Sequence, residues 1–351
     1  MANFEREIMK KLLKIVLVAF LAVMAALTLT ACKSSSNSNV SAKKAFISDY
    51  AALSKSNGNV QELSVSVDKV KATGDGAEAV NQLAGAKAAF SVNTDTKDKT
   101  ASASVTINAV GMNLKLNLLM VKAGIYIPGD DIKKLYNDRA LHSLLTSDDA
   151  ATEEVYDAMI TGLTAPYLSL DADLLHQLMS SRTSSNGLSW ENMIDEMFNA
   201  SSKQALSEAD LTKALSKVPN SDFTQSSGKT TIKLPVGSSS FNDFFTGVAS
   251  SNASLTKAQT EQILKTISDS GVDLKKMTAE ITLDREKREL TMVISGKVTS
   301  QNNQTLDFGM TINSKSSNSS KKVTIPAANK VQTFEDVRDA AISILMGGQS
   351  S

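Results

Sequence analysis

Between Leu63 and Ile127 apolar residues recur at every second position in a series of short runs, and this alternation limits the possible folds more than any other feature. Leu63, Val65 and Val67 open the pattern, and Phe90 with Val92 continues it. Then come Ala103, Val105 and Ile107, next Leu114, Leu116, Leu118 and Met120, and finally Ile125 and Ile127 ahead of Pro128-Gly129. A period of two sends alternate side chains to opposite faces of a strand. The stretch therefore predicts a meander of antiparallel strands with one apolar face. Residues 94–98 and the run Val110-Gly111-Met112-Asn113 are the expected turns.

A sheet with one apolar face needs a cover, and the flanking periods provide candidates. Ala45, Phe46, Tyr50 and Leu53 recur at helical spacing, which predicts a helix over residues 42–53. Between 131 and 218 the pattern turns helical again, with segments at 152–163, 171–180 and 189–199 that carry Met159, Met179, Met193 and Met197. Ser207-Glu208-Ala209-Asp210 has the form of a capped helix start. A strand is expected at 229–236 and helices at 241–248 and 254–268. Strands return at 277–283, 290–298, 306–312 and 323–325, with a charged hairpin at 284–288 and a polar loop at 314–320. A last amphipathic helix is expected at 334–346. The order strands, helices, strands predicts an α+β fold, a curved antiparallel β-sheet with helices over one face, rather than an alternating parallel fold.

The N-terminal segment predicts export. Lys10, Lys11 and Lys14 precede an uncharged run over residues 15–31, which as a helix would span roughly 25 Å at ~1.5 Å per residue. That is short for a bilayer span of about 20 residues, so a cleaved signal is favoured over a permanent anchor. Glu5 and Glu7 are out of place in a basic leader, which leaves both Met1 and Met9 open as the start. Cys32 is the only cysteine of the chain, so the body has no intramolecular disulfide and no cysteine-based metal site. Stability then has to come from an ordinary core. The Ser- and Asn-rich residues 33–39 have nothing to bury and read as a flexible tether.

Leu29-Thr30-Ala31-Cys32 resembles the bacterial lipobox. The resemblance implies a diacylglyceryl group on the Cys32 thiol, cleavage after Ala31 and residence at the extracytoplasmic face of a cell membrane, expected to be that of a Gram-positive bacterium. Residues 1–31 are then the signal peptide, 32–42 the lipidated cysteine and tether, and 43–351 a single α+β domain with a helical insertion at 131–218. The meander from Phe90 to Pro128 with its Gly124-Ile125-Tyr126-Ile127 strand resembles the LolA/LppX-like lipoprotein fold, as does the hairpin Ile281-Thr282-Leu283-Asp284 through Leu290-Thr291-Met292-Val293-Ile294. In that fold helices cover the concave face of a half-barrel that holds lipid. The helical insertion is a departure from it and could plug the cavity. The resemblance implies a candidate hydrophobic cavity over Leu116, Leu118, Met120, Met292, Ile294, Phe308 and Met310. The same stripe also fits a core packed against the chain's own helices.

Other chemistries find little support. His142 and His176 stand 34 positions apart, without ligand spacing, and no G-x-S-x-G elbow occurs. Ser-x-x-Lys pairs at Ser41/Lys44, Ser66/Lys69 and Ser254/Lys257 lack companion motifs. Gly74-Asp75-Gly76-Ala77-Glu78-Ala79, with Asp95 downstream, approximates a dinucleotide fingerprint but precedes antiparallel strands. Asp148-Asp149 and Glu153-Glu154 lack the spacing of a calcium loop. Equal numbers of basic and acidic residues, 37 each, argue against nucleic acid, and a single tryptophan argues against stacked sugar platforms. The expectation is a non-enzymatic, membrane-anchored lipoprotein without cofactor or metal that binds or carries a lipid or other hydrophobic molecule. The alternative is a non-catalytic cell-envelope interaction or structural module with no small ligand, its protein partner unknown.

Overall fold

The computed structural model describes residues 41–54, 58–74, 77–139, 142, 150–180, 190, 194–195, 198, 207–251, 261–262, 265, 276–299 and 305–347. In chain order the elements are α1 (Ala42–Ser54), β1 (Val60–Ala72), α2 (Ala77–Asn81), β2 (Lys87–Asp95), β3 (Thr100–Ala109), β4 (Met112–Val121) and β5 (Gly124–Pro128). There follow α3 (Gly129–Asn137), α4 (Ala150–Gly162), β6 (Tyr167–Asp171), α5 (Ala172–Ser180), α6 (Glu208–Ala214), β7 (Phe223–Ser226), β8 (Lys229–Pro235) and α7 (Ser239–Ser251). The last are β9 (Met277–Asp284), β10 (Glu289–Thr299), β11 (Thr305–Ser317), β12 (Val331–Thr333) and α8 (Phe334–Gly347). Helices with a large, mostly antiparallel and open set of strands make this an α+β fold.

The chain divides into two compact units, one drawn from Met1–Lys87 and Ser201–Asn318, the other from Ala88–Ala200 and Ser319–Ser351. In unit 1 the strand order is β1-β11-β10-β9-β8-β7. One apolar row crosses all six strands in register: Val65, Ile312, Met292, Ile281, Ile232 and Phe223. The neighbouring row on the other face is polar: Ser64, Asn313, Thr291, Thr282, Thr231 and Thr224. The period of two thus becomes a sheet with one dry and one wet face. The dry face forms a single core with Phe46, Tyr50 and Leu53 of α1, Leu211 of α6, and Phe244 and Val248 of α7. Phe46 meets Phe223 edge to face at 5.3 Å, and the Lys43 ammonium bonds the Val218 carbonyl at 2.6 Å. Each fully buried large apolar side chain contributes about 1.5–3 kcal/mol.

In unit 2 the order is β12-β6-β5-β4-β3-β2. β12 runs parallel to β6, whereas β3–β4, β4–β5 and β5–β6 are antiparallel. β3 and β4 join through Val110-Gly111, both with positive φ (50° and 80°), the geometry of a two-residue primed turn. A side chain at Gly124 would meet the Leu170 carbonyl oxygen at 2.2 Å, so only glycine lets β5 approach β6 there.

Several local expectations are corrected. The stretch 131–218, read as helical, contains strand β6, held between β5 and β12. Five residues are too few for a period to show, and the strand exists because its partners do. β7 and β12 escaped notice for the same reason. Residues 314–320, read as a polar loop, begin as strand, since β11 continues to Ser317 with Ser314 and Ser316 buried opposite Leu63 and Gln61. Residues 323–325, read as strand, have no regular structure. They lead into Pro326, which has no N–H to offer a ladder. Most of the helix expected at 254–268 lies outside the described residues.

Candidate functional site

Cys32 and the lipobox residues Leu29, Thr30 and Ala31 lie outside the described residues, as does the tether. Among the described residues no helix is long and apolar enough to cross a membrane.

The seven residues of the expected cavity are shared between the two units. Met292, Phe308 and Met310 belong to the core of unit 1, and Ile294 packs against it. Their helical cover comes from the same unit, so this part of the stripe is filled by the chain itself. Leu116, Leu118 and Met120 lie on β4 in unit 2. There Met120 joins Ala101, Ala103, Leu175, Trp190, Ile194 and Phe198 in a small core, with Leu118 packed against it. The Trp190 indole donates to the Val121 carbonyl at 3.0 Å, which fixes that cover. Further along the same face, the opposed pairs Val105/Leu116 and Ile107/Leu114 are only half-buried, and Phe90 is 41% exposed.

The other face of the unit 2 sheet carries a cavity of about 420 Å³. Ser91 and Asn93 of β2, Ser102 and Ser104 of β3, and Asn117 and Leu119 of β4 line it, with Pro128, Tyr167 and Lys321. Ser102 stands opposite Leu119 and Ser104 opposite Asn117. Asn117 is held by Asp131 of α3, whose Oδ2 accepts from the Asn117 backbone N–H at 2.9 Å and from Nδ2 at 2.7 Å. Sequence reasoning missed this cavity because it followed the apolar member of each alternating pair. The signal was present in the polar members, Ser-x-Asn on β2 and Ser-x-Ser on β3.

A polar cluster joins α3 to α4. The Tyr136 hydroxyl donates to Asp157 Oδ1 at 2.7 Å. His142 places Nδ1 3.2 Å from the Tyr136 carbonyl and Nε2 3.3 Å from Glu153. Burial, the bond to Asp157 and the nearby carboxylates push the Tyr136 hydroxyl up to about 12. His176 is exposed on α5. In unit 1, burial pushes the Asp49 carboxyl up, against the opposing pull of Thr230, which donates at 2.9 Å, and Arg285 at 3.7 Å. Burial also lowers Lys43, opposed by Asp222.

The remaining sequence candidates have structural occupations. Ser41 caps the start of α1 by accepting from the Lys44 N–H. Ser66 donates to Asp68, and Lys69 pairs with Asp307. Ser254 and Lys257 lie outside the described residues, as do Asp75, Gly76, Asp148 and Asp149. Asp95 accepts from the N–H groups of Lys97 and Asp98 and so builds the β2–β3 turn. Among the described residues no group of three or more His, Cys, Asp or Glu is placed to hold a metal ion. No protein family, curated protein or solved structure matches the chain.

Proposed function

We propose that this chain is a lipoprotein held at the extracytoplasmic face of a bacterial cell membrane by a diacylglyceryl group on Cys32. Its body, without catalysis, takes up a hydrophobic or lipid-like molecule. The carrying observation is the half-covered apolar face of unit 2, where Val105, Ile107, Leu114 and Leu116 are half-buried and Phe90 is exposed. Covering such a surface releases ordered water at about 25 cal/mol per Å², and an acyl chain does so without asking for hydrogen bonds. The open, mostly antiparallel sheet with helices on it supports a LolA/LppX-like half-barrel as the finer description of the fold. The basic leader, the uncharged run and Leu29-Thr30-Ala31-Cys32 support the anchor, since two acyl chains hold a protein at a bilayer where one does so only marginally.

Native mass spectrometry of the full chain taken from membranes, with extraction of bound lipid, tests the carrier reading. Co-purified lipid beyond the covalent anchor is expected, and it should diminish with Leu116→Asn. Recovery of none, from a protein that also takes up none after delipidation, removes the carrier reading. Replacing Cys32 by Ala should release the protein from membranes; a processed form that still sediments with them removes the anchor. The second reading, an envelope interaction module without a small ligand, draws on the filled core of unit 1, where Met292, Phe308 and Met310 face the chain's own helices.

A further inference from the structure

We propose that the cavity on the polar face of the unit 2 sheet binds a small polyol phosphate. This site is separate from the apolar face of the same sheet, and the inference stands without the carrier reading. Cavities for small molecules commonly run from about 300 to 1,000 Å³ and are lined mainly by apolar groups with a few polar ones. At about 420 Å³ this one fits the size range, and its polar share is large, for Ser91, Asn93, Ser102, Ser104 and Asn117 converge on it. Serine hydroxyls and asparagine amides each both donate and accept. Adjacent strands set opposed members of such an array about 4.5–5.5 Å apart, a spacing suited to successive hydroxyls on a short carbon chain. Leu119 and Pro128 add apolar surface for the carbon backbone.

The charge is the second observation. Among the residues lining the cavity, Lys321 is the one that carries a charge. Its backbone is held in place, because the Asn93 Nδ2 donates to the Lys321 carbonyl at 3.0 Å and the Lys321 N–H donates to Ser319 Oγ at 3.0 Å. Lys321 is exposed, and its ammonium, within reach of a hydroxyl-and-amide array, would select a hydroxylated anion over a neutral polyol through charge-assisted hydrogen bonds. The Asp131 carboxylate is not among the lining residues and accepts from Asn117. The ligand can be a free metabolite or the headgroup of a lipid, since both present an anionic phosphate beside hydroxyl groups.

Titration calorimetry of the full chain in detergent, with glycerol 3-phosphate as the probe and glycerol as the neutral control, tests the proposal. Saturable binding of the phosphate is expected, weakened about tenfold by Lys321→Gln and abolished by Ser102→Leu, which fills the cavity. Lys321 is exposed, so its variant keeps the fold and decides the matter if the leucine variant unfolds. Phosphatidylglycerol in the micelles that competes with the probe, where phosphatidylcholine does not, identifies the source as a headgroup; lack of competition identifies it as a free molecule. No saturable binding into the millimolar range, or binding that Lys321→Gln leaves unchanged, overturns the site. Leu116→Asn, on the opposite face, leaves this binding as it was.

Discussion

In unit 1 the apolar row from Val65 to Phe223 lies in one core with α1, α6 and α7, and Ile312, Ile281 and Ile232 are 1%, 4% and 0% exposed. In unit 2 the comparable face has a small core at one end, around Trp190 and Ile194, while Val105, Ile107, Leu114 and Leu116 remain half-buried. Both faces come from the same alternation in sequence. Whether a stripe becomes a core or a surface depends on which helices the rest of the chain places over it, and period two is silent on that. The difference also locates the proposed lipid surface in unit 2.

The strongest way to break this comparison is truncation. Ile312→Ala should cost about 2–5 kcal/mol, the range for a fully buried aliphatic, and Leu116→Ala about 1 kcal/mol or less, both read from urea unfolding. Equal costs would mean that the two faces are covered alike. Next in size is the clamp on the cover of unit 1. Ser207 caps α6 by accepting from the Asp210 N–H at 3.1 Å, and Asp210 returns a bond to the Ser207 N–H at 3.4 Å. Ser207→Ala should lose about 1 kcal/mol, and hydrogen exchange in α6 should quicken.

In unit 2 the corresponding fastening is the Tyr136–Asp157 bond, and Tyr136→Phe should cost about 0.5–1.5 kcal/mol. Tyr136 holds its proton more tightly folded than unfolded, so its contribution is complete below pH 10 and is lost as the pH rises toward about 12. An alkaline unfolding curve that Tyr136→Phe leaves unchanged would count against this fastening. A smaller effect of opposite sign is expected at Asp49 in unit 1. Its folded pKa is raised, chiefly by burial, so the contribution of its protonation is present at acid pH and lost as the pH rises through the folded value. Asp49→Asn should therefore raise the melting temperature at pH 7, and the gap from the parent should close on acidification. The smallest effect concerns α8. Bonds from the Thr333 side chain and backbone lower the Asp336 pKa, so the start of α8 should loosen as the pH falls through that folded value, seen as faster exchange at its first turn.

Much of this architecture was legible in the residues. Helix α1, the β3–β4 turn at Val110-Gly111, the charged hairpin between β9 and β10 and the capped start of α6 are local patterns, in which neighbours within a few positions determine the conformation. The strands β6, β7 and β12 were not legible, because three to five residues carry no period and pair only with partners distant in sequence, as Val331 does with Tyr167. The candidate cavity divided for a similar reason. Met292 and Leu116 look alike in an alternating strand, yet one faces α-helical cover within unit 1 and the other a half-open face.

The sequence by itself determined the α+β class, the alternation of dry and wet faces, the helix starts that side-chain caps specify, and the expectation of an anchor at Cys32. These depend on covalent order and on interactions over a turn or two. Only the tertiary structure decided that the chain forms two discontinuous units, that one apolar face is covered while the other stays half-open, and that Ser91, Asn93, Ser102, Ser104 and Asn117 share a cavity with Lys321. Those outcomes depend on contacts between residues as far apart as Asn93 and Lys321. The loop-closure entropy of such contacts is repaid by burial and hydrogen bonding summed over the whole unit, a balance that no short stretch of sequence contains.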